Sequence, residues 1–175
     1  MKRALTAITI LSVIGTVVCF CLNNVWENEA MFAVAVTFGT TAYHFLMRRS
    51  VGFIFDAIMN NKADYTKRWY QSRAWEKRLY EKLKVKYWKS IIPTYDTRLF
   101  DRTEKSWDEI AQASCQAELV HETIILLSFV PIVFSIWVGA IMVFIITSLL
   151  ASLFDMTFVI IQRYNRPRIV RLLKR

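Results

Sequence analysis

Glycine and proline are scarce in this 175-residue chain, at four and three residues, and there are only three cysteines and two histidines. With 55% hydrophobic content, so little of either turn-forming residue excludes an ordinary soluble fold. There is no glycine-rich phosphate loop, no G-x-S-x-G nucleophile elbow and no H-E-x-x-H helix, so soluble-enzyme templates gain no support. A di-iron site would need two E-x-x-H motifs with further carboxylates, and with only two histidines in the chain such a site is not expected. No metal and no cofactor is expected. Cys19 and Cys21 stand two apart in one apolar run and Cys115 lies far away, which gives neither a disulfide framework nor a zinc spacing.

What the chain has in quantity is long uncharged runs. Ala4 to Leu22 is 19 residues without a formal charge, and Ala30 to Met47 is another 18. Each is about long enough to cross hydrocarbon at ~1.5 Å per residue. Thr123 to Phe154 is 32 residues without a formal charge, and with its flanks it divides into two spans of roughly 20 residues joined by a bend near Gly139. The fold expected is all-α: an integral membrane bundle of four transmembrane helices in two antiparallel hairpins, at 4–22, 30–47, 118–138 and 141–161. A basic, partly helical middle section occupies 48–116, and a basic tail 162–175. The stretch "CFCLNNVW" offers no small-x-small cleavage site, so the first helix is expected to be retained.

Charge gives an independent check. All 23 Lys and Arg residues fall in 1–3, in 48–116 or in the tail, while the loop "NNVWENE" carries two glutamates and no base. The positive-inside rule then puts both termini and the middle section on the cytoplasmic side of the cell membrane. Residues 60–116 hold 13 basic against 8 acidic side chains with aromatics interleaved. Trp75, Leu79 and Leu83 recur every four residues, which predicts a helix with one apolar edge along a membrane surface. Aromatics at the lipid interface and bases near anionic headgroups account for this composition, and nucleic acid is not expected as a partner. Pro93 is expected to end the section, after which "WDEIAQASCQAELVHE" reads as a helix entering the membrane.

Ionisable groups near a membrane core cost free energy and mark candidate sites. His44, Glu118, His121, Glu122 and Asp155 form that set, all toward the cytoplasmic face in the four-span reading. Glu118 and His121, three apart, project from one helix face. A carboxylate beside an imidazole fixes its tautomer and makes it a general base for a hydroxyl proton, so this pair is the candidate catalytic constellation, with His44 and Asp155 as possible additions. "QRYNRPR" closes the fourth span, where Pro167 is expected to stop or redirect the helix and the arginines meet anionic groups, as a lipid anchor or as a substrate clamp.

Three segments, "WEKRLYEKLKVKYWKSIIP" (Trp75 to Pro93), "CQAELVHE" (Cys115 to Glu122) and "VIIQRYNRPRI" (Val159 to Ile169), occur in an order that resembles the glycosyl-4,4'-diaponeurosporenoate acyltransferase family of bacterial membrane proteins, over roughly the last 100 residues. The resemblance implies transfer of a fatty acyl group from a thioester donor to a hydroxyl of a glycosylated lipid, such as a glycosyl carotenoid. The matching positions are Glu118 and His121, taken as catalytic, with Gln162, Arg163, Asn165, Arg166 and Arg168 as substrate-binding residues. The expected partners are membrane lipid, a glycolipid acceptor and an acyl donor. The alternative is a non-enzymatic membrane scaffold or assembly factor that binds a partner protein or anionic lipid and needs no pairing of its polar residues.

Overall fold

The computed structural model describes residues 2–26, 28–92 and 97–174; Glu27 of the acidic loop and Pro93 lie outside them. Every regular element among the described residues is helical: α1 (Lys2–Trp26), α2 (Glu29–Met59), α3 (Ala74–Lys82), α4 (Val85–Trp88), α5 (Trp107–Leu127), α6 (Val130–Val138) and α7 (Ile141–Leu173), with 3-10 turns at Arg68–Tyr70 and Thr97–Phe100. Four helical stretches are long and apolar enough to cross a membrane: Ala4–Trp26, Glu29–Met59, Trp107–Val138 and Ile141–Leu173. The chain divides into two compact units, Met1–Gly52 with Thr123–Phe154 and Phe53–Glu122 with Asp155–Arg175.

The first unit turns its large apolar side chains outward and its small ones inward. Leu11, Val17, Trp137, Met142 and Leu150 are exposed, while Ser12, Ala35, Thr40, Ala42, Ser128 and Ser148 are buried. That is the packing of helices in lipid, where small residues let backbones approach. A Cβ added to Gly15 would lie 2.9 Å from the Phe38 ring, so glycine is what allows α1 against α2 there. Arg49 Nη1 donates to Thr6 Oγ1 at 2.7 Å. Partner numbers that rise along α1 and fall along α2 make this pair an antiparallel hairpin, and the Asn28 side chain caps the return helix through the Ala30 N–H at 2.9 Å.

The second hairpin has two breaks with separate causes. Pro131, at the start of α6, has no N–H to offer the Leu127 carbonyl, and Tyr43 Oη supplies the missing donor at 2.9 Å. Gly139 then closes α6 at φ 73° and ψ −149°, a conformation open almost only to glycine, followed by Ala140 at φ 50°. Tyr43 reaches the Leu127 carbonyl and Arg48 the Ala151 carbonyl at 3.3 Å. Leu127 and Ala151 stand the same number of residues before and after Gly139, so the bend lies where the uncharged run suggested.

In the second unit α2 ends at Met59 on two left-handed residues, Asn60 and Asn61, a conformation asparagine tolerates. The Asn61 N–H donates to Gln116 Oε1 at 2.7 Å. Helix α5 starts in a reciprocal capping box: the Ser106 N–H donates to Glu109 Oε2 at 2.9 Å and the Glu109 N–H to Ser106 Oγ at 3.2 Å. Pro167 does not stop α7, which runs on to Leu173. A proline removes one N–H and crowds the carbonyl four residues back, here that of Arg163. The side chains of Arg163 and Arg166, both anchored in this unit, hold the turn. Residues 162–173 therefore belong to the same helix as the fourth apolar stretch.

Candidate functional site

Polar residues of α3, α5 and α7 meet inside the second unit. On α7, Asp155, Val159, Gln162, Arg163 and Arg166 share a face by helical spacing; on α5, Ser114, Glu118 and His121 do the same. Arg163 sends Nη2 to Glu76 Oε1 at 2.7 Å, Nε to Glu76 Oε2 at 3.2 Å and Nη1 to Glu118 Oε1 at 2.5 Å. Its remaining N–H capacity goes to the carbonyls of Trp69 at 3.2 Å and Gln71 at 3.4 Å. Arg166 pairs with the second oxygen of Glu118 and donates to Ser114 Oγ, the Ser114 carbonyl and the Tyr70 carbonyl at 3.2, 2.9 and 3.2 Å. The Tyr70 ring centroid lies 5.1 Å from its guanidinium carbon. Two arginines against two glutamates leave the cluster neutral, and these bonds offset the cost of burying Glu118 at 0%, Glu76 at 2% and Arg166 at 2% exposure.

Burial by itself would raise the Glu76 carboxyl; the hydrogen bonds and charge of Arg163, joined by the Tyr80 hydroxyl at 3.1 Å, win and hold it below the usual carboxylate range. Burial, reinforced by the Glu76 charge, raises the Tyr80 phenol, and burial pushes that of Tyr70 up to about 12.

His121 takes a different carboxylate from the one its sequence spacing proposed. Its Nδ1 lies 2.8 Å from Asp155 Oδ1, with Asp155 1% exposed, while Glu118 is committed to the two arginines. The expectation that Glu118 orients His121 is corrected accordingly. Two guanidinium cations, one on each oxygen, outcompete one imidazole for Glu118, and Asp155 comes from α7 to serve the ring. The ring also stacks on Phe158, with centroids 4.5 Å apart and planes 6° from parallel. Glu122, one turn after Glu118, accepts from Trp69 Nε1 at 3.1 Å.

The remaining predicted residues are distributed as follows. Gln162 is half-buried on the α7 face that carries Asp155 and Arg166. Asn165 Oδ1 accepts from Lys89 Nζ at 2.7 Å; burial, then the nearby Arg168 charge, lowers the lysine's affinity for its proton. Arg168 is exposed, 3.9 Å above the Tyr164 ring, and donates to that residue's hydroxyl at 2.7 Å. His44 belongs to the first unit, buried and edge-on to Tyr43 with centroids 5.4 Å apart. Sequence reasoning missed Glu76 and the capture of Arg166 by Ser114 and Tyr70. The one available signal was a glutamate directly beside Trp75 in the first of the three quoted segments.

A family model described as glycosyl-4,4'-diaponeurosporenoate acyltransferase matches residues 66–175. No curated protein and no solved structure matches the chain. The matched residues include all of the polar cluster and the His121–Asp155 pair.

Proposed function

Because the chain belongs to the glycosyl-4,4'-diaponeurosporenoate acyltransferase family, we propose that it moves a fatty acyl group from a thioester to a sugar hydroxyl of a glycosylated lipid, a glycosyl carotenoid being the acceptor class named by the family. The observation that carries the catalytic assignment is the His121–Asp155 pair, a partly exposed imidazole held by a buried carboxylate at 2.8 Å. In the tautomer whose Nδ1–H points at Asp155, Nε2 holds the lone pair. The acceptor O–H gives its proton to Nε2 as its oxygen attacks the thioester carbon. The new C–O bond forms, the C–S bond breaks, and the imidazolium returns the proton to the thiolate, leaving an ester and a free thiol.

In this reading Asp155 orients the base and Phe158 limits ring rotation. Glu118, Arg163 and Arg166 are positioning residues that lock α5 to α7. They lie on the same helices as His121 and Asp155, so a shift of either helix would separate base and carboxylate. Gln162, Asn165 and Arg168 serve the substrates. The working face is cytoplasmic, where a water-soluble thioester arrives, and the lipid acceptor enters from the bilayer.

The test is purified full-length protein in lipid nanodiscs with a labelled acyl thioester and a panel of glycolipids. Ester should form on a sugar hydroxyl, and His121→Ala should slow transfer by about 10²–10⁴-fold, the usual contribution of a positioned base. His121→Ala transferring at the wild-type rate would remove this histidine from the chemistry.

A further inference from the structure

The second unit contains a cavity of about 480 Å³ that the His121–Asp155 chemistry does not use. Lys77, Lys84 and Lys86 line it from the α3–α4 segment and Arg168 and Arg171 from α7, against one carboxylate, Glu81. Arg163 also reaches this cavity, but its charge is already met by Glu76 and Glu118. Among the described residues no ion pair joins any of the five other cations to a carboxylate. The cleft therefore keeps an excess of four positive charges, five bases less one acid. Like charges gathered in one cleft repel each other and raise the local concentration of a polyanion.

The geometry of α3 separates two sources of such an anion. At 100° per residue along α3, Lys77, Tyr80 and Glu81 lie on the opposite side from Trp75, Leu79 and the C-cap residue Leu83. The latter three are exposed although apolar, an edge suited to lipid. The cleft-lining side of α3 is thus turned away from the side suited to a bilayer, which favours a soluble polyphosphate over a lipid headgroup. Lys84 occupies its place in a left-handed conformation, φ 52°, that glycine would adopt without strain. We propose that this cleft binds the phosphorylated nucleotide end of an acyl thioester donor of the coenzyme A type. The nucleotide site stands on the cleft alone; its role as donor site rests on the acyl-transfer reading above.

The experiment is calorimetric binding to the full chain in neutral phosphatidylcholine nanodiscs, using coenzyme A, its 3′-dephospho form and pantetheine. Affinity should fall in that order and with rising salt. The triple variant Lys84→Gln, Lys86→Gln, Arg171→Gln should weaken coenzyme A binding by roughly tenfold or more, three exposed charge contacts being removed together. The charge-conserving pair Lys84→Arg, Lys86→Arg should stay within about threefold of wild type. Pantetheine binding as tightly as coenzyme A, or a triple variant with wild-type affinity, overturns the assignment. So does the headgroup outcome, in which the triple variant loses only retention on phosphatidylglycerol vesicles and coenzyme A does not bind.

Transfer assays separate this inference from the reading it rests on. A wild-type protein that uses coenzyme A thioesters and phosphate-free thioesters with equal kcat/KM keeps acyl transfer and ends the cleft's role. Coenzyme A binding that is lost in the triple variant, in a protein that transfers no acyl group, keeps the nucleotide site and ends acyl transfer.

Discussion

Arg166 illustrates how a residue's type and its role part company. An arginine near the end of an apolar helix suits a lipid anchor or a substrate clamp, yet here each of its nitrogens is taken by Glu118, Ser114 or the Tyr70 backbone, at 2% exposure. Removing one member of a buried pair leaves the other's charge poorly compensated, so Arg166→Met should lower unfolding stability by about 3–5 kcal/mol. Arg166→Lys should recover only part of it, since an ammonium cannot address those acceptors in one plane. Thermal unfolding in detergent checks both, and wild-type stability in Arg166→Met would contradict the account. The sequence reveals that Glu118 and His121 share a face, because three residues on a helix is a local relation. It does not reveal which carboxylate serves the imidazole, because the register of α7 against α5 decides that across 34 residues.

At the scale of elements, the long uncharged runs made the four apolar helices legible, and a single glycine located the last reversal. Nothing lies within 4 Å of a Cβ built on Gly139, so Gly139→Ala meets no clash and tests the backbone alone. At φ 73° and ψ −149° the substitution should cost about 1–3 kcal/mol, read as a fall in melting temperature. No loss would mean that the α6–α7 turn does not need its glycine. The helix α3 was legible by half. The four-residue recurrence of Trp75, Leu79 and Leu83 marks its apolar edge, but the burial of Glu76 depends on Arg163, 87 residues away. Pro167 misled for a related reason: local chemistry favours a helix end there, and long-range anchoring of the arginines beside it overrides that preference.

For the whole molecule, the one-sided distribution of Lys and Arg predicts an orientation. Cysteines engineered at Lys84 and Lys174 should resist impermeant reagents applied to intact cells, and one at Asn28 should react. The reverse pattern would invert the topology and move the proposed working face to the other side of the membrane. The central claim is that Asp155 and His121 act together in acyl transfer, and the most direct measurement is single-turnover transfer by Asp155→Asn in nanodiscs. Asparagine keeps the size of the side chain but removes the charge that selects the Nδ1–H tautomer. The expected result is a fall in the single-turnover rate constant of about 10²–10⁴-fold, with the half-saturating donor concentration little changed and the protein still correctly inserted. Transfer at the wild-type rate by Asp155→Asn would contradict it.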